Sequence, residues 1–553
     1  MRRVRNVMKK IVSFESVKPR LCAPIVWVLA GAFVLRVYSA ALRCAVNPDG
    51  AQYLFQASAI FNHQWHDLLA CKLSYISPLP FLIAVCFGIF RDWIIAGQAV
   101  SVFFGTATLV PLYYLLRRFS DVTISTLTVL IYALVPVFVE GSGNILRDPV
   151  FWFFSVLGML MFARQLDEPA QGSRFRLDLV LSSLFFLLAT WARIEGIVYL
   201  VASPLYLLIN PIRRKIERFS IFIAPLVCLA ILLVVAAFAT GSDLKTSTRI
   251  QQVYSEATSF VASYANLESQ IKAASENDSA PYRYFLQRVR EVLILIPFLS
   301  IIYNLLEGIF YPFALIFGIG FVGLRRKYRQ DRRIGYFLLL SITGFLLLYI
   351  HMIQTWMMFY RFLAVLIYPG CIIMANGVGT VAEKLEQIRR WPANRTAAAI
   401  AAFLILFGLP KSLKPEEADK VVYLQAAQRI AEQRQTGQFA PLFAAAAQRG
   451  FEWVLLYAHR AEAALECSLS HIIEIPADYE GFIGRLDEAG AAYFFYEKRH
   501  WPADSFDLIA SSYEKDLRLL GQWKHPDSLE FALFERLPER QVSGRSDGQE
   551  GLQ

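Results

Sequence analysis

Long apolar segments recur along this 553-residue chain, and the breaks between them alternate in charge. One set of breaks carries clusters such as Arg213-Arg214-Lys215 and Arg325-Arg326-Lys327; the other carries one to a few basic residues, among them Arg147, Arg193 and Arg361. A membrane-crossing helix needs about 20 mostly apolar residues, and Lys and Arg collect in cytoplasmic loops. The pattern therefore constrains the chain to a polytopic α-helical membrane protein. A hydrophobic fraction of 56% and a mean hydropathy of +0.42 lie above those of a soluble chain. The net charge of +10 would by itself suit a nucleic-acid ligand. Its distribution argues against one, because the basic residues punctuate apolar segments and so orient spans.

About eleven spans are expected: 22–42, 94–116, 122–140, 149–164, 177–192, 194–210, 219–240, 300–324, 334–351, 362–380 and 396–410. With the N-terminus in the cytoplasm, every short basic cluster falls inside. Arg147, Arg193 and Arg361 then fall outside, and the odd count leaves the C-terminus outside. The stretch after the basic N-terminus is too long for a signal peptide and contains Arg36, so it is expected to be a retained first span. Segment 78–90 is too short to cross and is expected to be an interfacial or re-entrant helix in the first outside loop, 43–93. A second outside loop, 241–291, is polar with amphipathic helix pieces. Residues 1–410 thus form one membrane domain. Residues 411–537 alternate strand and helix patterns and predict a small exported α/β domain: strands at Trp453–Tyr457, His471–Ile475, Ala491–Tyr496 and Glu530–Phe534, helices at Tyr479–Ala489 and Ser505–Leu520. The tail 538–553 is polar and expected to be disordered. Seven cysteines show no CxxC pair and no metal-ligand spacing; Cys44 and Cys71 share the first outside loop.

Four short polar motifs collect on the outside face. In Asn47-Pro48-Asp49-Gly50-Ala51-Gln52-Tyr53, Asp49 can cap a helix over 50–62, with Gln52 completing a capping box. It can equally serve as a general base that takes a proton from an acceptor hydroxyl. In Arg147-Asp148-Pro149, Asp148 suits an N-cap and Pro149 a first turn. Arg147 has no such role and needs an anion. In Arg193-Ile194-Glu195-Gly196, the two charges either neutralise each other or form a phosphate ligand and the carboxylate that steadies it. Tyr360-Arg361-Phe362 adds a third isolated arginine. Arginine stays charged at low dielectric and grips phosphate oxygens bidentately. A sugar on a polyisoprenyl phosphate asks for this set: cations for the departing phosphate and a carboxylate for the acceptor.

With these motifs the chain resembles the GT-C class of integral-membrane glycosyltransferases. It is most similar to the branch of dolichyl-phosphate-mannose protein mannosyltransferases and aminoarabinose transferases. The resemblance runs over about 20–410 and rests on the order of its motifs: Leu35-Arg36-Val37-Tyr38, Asp49 with Tyr53, Ser77-Pro78-Leu79-Pro80, Asp148, Arg193–Gly196, and Arg361–Pro369. It implies a polyisoprenyl-phosphate sugar donor, a glycan, lipid or protein acceptor, and transfer on the non-cytoplasmic face of a cell membrane of the bacterial inner-membrane kind. It implies Asp49 as base, Arg147, Arg193 and Arg361 around the donor phosphate, and Tyr53, Asp148, Glu195 and Tyr360 in support. The chain departs from the pattern twice. Gly50 follows Asp49 where the family often has a second acid, which weakens any metal site, so no cofactor is expected. Ile76 or Ser77 stands where relatives carry Lys, leaving Lys72 as a loose substitute. Two other functions stay open: a lipid-linked sugar flippase or transporter, and an O-antigen ligase or polymerase. A flippase needs polar residues through the depth of its spans, whereas here Arg36 and Glu307 are the main ones. Ligases depend on a large late exported loop.

Overall fold

The computed structural model describes residues 24–43, 46–69, 75–167, 174–240, 248–277, 279–413, 421–422, 425–426, 428–429, 443–445, 470–498, 501–502, 505–509, 516–524 and 530–537. Lys72, Cys44, Cys71, the Trp453–Tyr457 segment and the tail after Leu537 lie outside them. The chain divides into two compact units. The first holds residues 1–42, 77–79 and 98–414, and the second 43–76, 80–97 and 415–553.

The first unit is a bundle of apolar helices. Among the described residues, seven are long and apolar enough to cross a membrane, or up to ten if each of three bent pairs is counted as one span. Nine of the eleven expected spans are among these. The segment expected at 194–210 is instead a 13-residue helix, Ile197–Ile209, with Pro204 inside it. The one expected at 300–324 is broken at Phe310, whose φ of 76° is left-handed, into Leu295–Ile309 and Tyr311–Val322. Much of the polar loop 241–291 is helical, as Thr248–Asn277 and Ala280–Val292.

Two expected spans bend sharply. Pro136 separates Val122–Leu134 from Pro136–Gly143 at 56°, and the Pro369 region separates Tyr360–Ile367 from Cys371–Arg389 at 74°. Proline has no N–H to donate, and a broken helix strands carbonyls where no water can reach them. Side chains from distant helices meet those carbonyls. Arg36 Nη1 donates to the Ala133 oxygen at 3.3 Å, and Ser412 Oγ to the Leu134 oxygen at 3.0 Å. Arg36 is fully buried and also donates to the Ala32 oxygen at 3.1 Å and, through Nε, to Ser142 Oγ at 3.3 Å. At the second bend Tyr132 Oη donates to the Ile367 oxygen at 2.5 Å. Helices Tyr311–Val322 and Cys371–Arg389 then touch backbone to backbone. A Cβ on Gly320 would stand 2.0 Å from the Ile373 oxygen, and one on Gly377 2.0 Å from the Ile316 oxygen. Small residues at such crossings let membrane helices approach closely.

Several of the basic clusters meet acids and amides at helix ends. Asp167, closing the Asp148–Asp167 helix, pairs with both Arg118 and Arg333. Arg218 Nη1 donates to the Gln165 carbonyl at 2.6 Å, and Arg176 pairs with Glu217 at 2.7 Å. Asp148 stands at the other end of that helix, and Arg193 follows the far end of Arg174–Ala192. The helix rise of 1.5 Å per residue over Asp148–Asp167 separates the two polar ends by about 30 Å.

In the second unit, the first-loop helix runs Pro48–Phe61, and Phe61, Phe87 and Trp93 form an aromatic cluster in which Phe87 stacks on Trp93 at 3.7 Å. Gln56 Nε2 donates to the Leu68 and Tyr75 carbonyls at 3.1 and 3.0 Å, tying the loop back onto the helix. The C-terminal part is a five-stranded sheet of order β2-β1-β3-β5-β4: β1 Phe443–Ala445, β2 Ser470–Ile472, β3 Tyr493–Glu497, β4 Leu517–Lys524 and β5 Glu530–Arg536. β1 runs parallel to β2 and β3, whereas β3, β5 and β4 are antiparallel. Helix Tyr479–Glu488 covers it, capped by Asp478, with Phe482 and Leu486 packed on Phe494, Ala532 and Phe534. The helix expected at Ser505–Leu520 is corrected: 505–509 is a turn and Leu517–Lys524 is β4. Ladder pairing with β5, from Leu517–Arg536 to Lys524–Glu530, overrides the local helical preference there.

Candidate functional site

The chain leaves the Arg174–Ala192 helix at Arg193 in an extended conformation, φ −144° and ψ 138°, and closes a 3₁₀ turn over Ile194–Gly196. Gly196 is required by this reversal, since a Cβ would stand 2.6 Å from the Thr190 nitrogen. The turn folds Glu195 back onto Arg193. Nη2 donates to Oε1 at 2.5 Å and Nε to Oε2 at 3.1 Å, a bidentate pair. The remaining arm, Nη1, donates to Asp148 Oδ1 at 2.5 Å. Arg193 and Asp148 are 3% and 1% exposed, so this is a buried cluster, with Glu195 nearer its edge at 14%.

Asp148 is the first residue of its helix rather than the cap, and its carboxylate is spent on Arg193. Oδ2 is buried with no hydrogen-bond partner among the described residues. The capping role that the sequence offered for Asp148 is therefore not the one observed. The loop before it is fixed by Ser101, whose hydroxyl both donates to and accepts from the Leu146 backbone at 3.4 Å. That places Arg147 close enough for its charge to act on Glu195. Burial pushes the Glu195 carboxyl up, but the Arg193 guanidinium, its hydrogen bonds and the Arg147 charge outweigh this, and it lies at about 2.

Phe362 joins the third arginine to the other two. The Arg193 guanidinium lies 4.7 Å from its ring centroid and that of Arg361 lies 5.8 Å from the same ring. Arg361 also lies 5.2 Å from the Phe359 ring. The structure thus brings Arg147, Asp148, Arg193, Glu195 and Arg361 to one end of the bundle. Within that set three guanidiniums stand against two carboxylates. Beside Arg361, Tyr360 interacts with Glu307, which Tyr303 and Tyr311 also flank. Sequence reasoning quoted Phe362 without giving it a role; two arginines near one aromatic are the signal, legible only once the fold joins them. The Arg193–Asp148 pair, 45 residues apart, was equally out of reach.

Asp49 and Tyr53 belong to the second unit. The cap of their helix is Asn47, with Pro48 first and Asp49 in the first turn, which corrects the expectation of Asp49 as the cap. An acid there is favoured by the helix dipole. Asp49 is half-buried and Tyr53 buried.

The family model of dolichyl-phosphate-mannose-protein mannosyltransferases matches residues 78–238. No curated protein sequence matches significantly. Among solved structures, ArnT from Cupriavidus metallidurans in the apo state superposes with a TM-score of 0.58 at 12% identity, covering 92% of this chain and 97% of that one. The same protein bound to undecaprenyl phosphate gives 0.52 at 12% identity, with the same coverage. The oligosaccharyltransferase of Archaeoglobus fulgidus, in complex with Zn and sulfate, gives 0.52 at 12%, covering 91% and 72%. The chain is an integral membrane protein with the GT-C fold that these proteins share.

Proposed function

We propose that this protein is a membrane glycosyltransferase that moves a sugar from a polyisoprenyl-phosphate donor to an acceptor hydroxyl on the non-cytoplasmic face. The observation that carries this reading is the arginine–carboxylate cluster at one end of a GT-C bundle. The solved complex of ArnT with undecaprenyl phosphate supports the donor class.

In the reaction, the acceptor oxygen bonds to the anomeric carbon while the bond from that carbon to the phosphate oxygen breaks. The phosphate leaves with the electron pair, and Asp49 takes the hydroxyl proton. Attack from the side opposite the phosphate inverts the anomeric carbon. Arg147 and Arg361 contact the phosphate oxygens, with Lys72 as a further cation from the first loop. Arg193 acts from behind. Its donors are committed to Glu195 and Asp148, so it steadies the two carboxylates and adds its charge to the field at the phosphate. Tyr53 and Tyr360 support the base and the phosphate end.

Arg147→Ala and Arg361→Ala are each expected to weaken binding of undecaprenyl phosphate by about tenfold or more, the scale of a charge-assisted contact of 1.5–3 kcal/mol. Lys at either position should restore part of it, because it lacks the planar fork. Titration of the purified protein with undecaprenyl phosphate measures this; unchanged affinity in both Ala variants sinks the phosphate assignment. The orientation has its own test. A reporter active only outside, fused after Pro410, should work, and one active only in the cytoplasm should work when fused near Lys327. The opposite result reverses the face.

A further inference from the structure

Helix Ala280–Val292 has two unlike sides. Tyr282, Phe285, Leu286, Val289, Val292 and Leu293 recur at helical spacing and share one face. Leu293 is buried and Leu286 and Val289 are half-buried, but Tyr282, Phe285 and Val292 are exposed, at 51%, 59% and 44%. Three arginines, Arg283, Arg288 and Arg290, stand against one acid, Glu291, on the rest of the surface.

The helix that follows, Leu295–Ile309, is apolar and turns away at 79°. Its exposed residues Leu295, Phe298 and Leu299 continue the apolar edge of the first helix around the corner. The corner is built. Tyr349 Oη donates to the Ile294 carbonyl at 2.8 Å, and Arg290 pairs with Glu268 of the preceding helix at 3.0 Å. If the apolar helix runs roughly along the bilayer normal, as membrane helices do with an average tilt of about 20°, a 79° turn lays its neighbour close to the plane of the membrane.

We propose that Ala280–Val292 is an interfacial helix, with Tyr282, Phe285 and Val292 sunk to the boundary between headgroups and acyl chains and its arginines on anionic phospholipid headgroups of that leaflet. Tyrosine is enriched at this depth, and a basic amphipathic helix binds by apolar burial plus attraction to anionic lipid. Arg288 is 80% exposed, and its pairing with Glu291 at 2.6 Å is a surface contact that a phosphate can displace. The helix thereby fixes the long Thr248–Asn277 segment, through Glu268, to the membrane surface. This inference depends on membrane integration and not on the transferase reading.

The test uses the full chain reconstituted in vesicles of phosphatidylcholine, with or without phosphatidylglycerol, doped with a phospholipid carrying a shallow photocrosslinker. Digestion and mass spectrometry then map the labelled peptides. Label is expected on Tyr282–Val292 as well as on Leu295–Leu299, which reports integration. Phosphatidylglycerol should raise the first severalfold, and Arg283→Gln with Arg288→Gln should remove that rise. Phe285→Asp should lose most of the label on Tyr282–Val292 and keep that on Leu295–Leu299. Label on Leu295–Leu299 with none on Tyr282–Val292 overturns the proposal, as does crosslinking of that helix to a second copy of the chain in place of lipid.

Discussion

Asp49→Asn is expected to reduce sugar transfer by about a hundredfold or more, the lower end of a general-base contribution, while the protein inserts and folds normally. The variant is nearly isosteric. Asn47 is the cap of this helix, and the first turn tolerates an amide in place of a carboxylate at a cost of a few tenths of a kcal/mol in dipole interaction. Stability is thus nearly untouched and only basicity is lost. The measurement is transfer of labelled sugar from a polyisoprenyl-phosphate donor in membranes, alongside a melting curve. Near-normal transfer would remove Asp49 from the chemistry, and the proton would then need another acceptor.

Arg193→Met should have the opposite profile, with stability and activity falling together. Removing the cation strands two carboxylates, one of them 1% exposed, at a buried site. Breaking such a pair from one side typically costs about 3–5 kcal/mol. The melting temperature in detergent should drop clearly, and undecaprenyl phosphate binding should weaken because the charge of the cluster falls from net positive to neutral. Adding Asp148→Asn to Arg193→Met should recover part of the stability and part of the binding, since it removes one of the stranded charges and restores the net positive charge of the cluster. A melting temperature that stays put in Arg193→Met would mean that the cluster contributes nothing to the fold.

The span pattern was legible because hydropathy and charge report directly on the solvent each segment faces. Nine spans and the helix at Tyr479–Glu488 follow from that alone. The bends were not read, although Pro136 and Pro369 stood in the sequence. A hydropathy average runs across a proline without notice, and whether proline bends a span depends on which neighbours can meet the freed carbonyls. The failure at Ser505–Leu520 has the same origin, because pairing with β5 is a long-range fact. At the site, Arg147, Arg193 and Arg361 stood out as isolated cations. Their partners did not, because Asp148 meets Arg193 only through the packing of two helices, and Phe362 meets it from yet another segment. A charge out of place is visible in a sequence; what answers it is a property of the fold.

Ser412, in the last helix of the bundle, caps a carbonyl 278 residues earlier. That bond sets an order of assembly. The Val122–Leu134 helix and its proline break enter the membrane early in synthesis, with Arg36 already available from the first span to serve Ala133. The Leu134 carbonyl has to wait for the closing helix, Ala393–Ser412, before it receives its donor. Until then that carbonyl lacks the Ser412 hydroxyl. The proline break therefore gains its second side-chain donor only when the closing helix has been inserted.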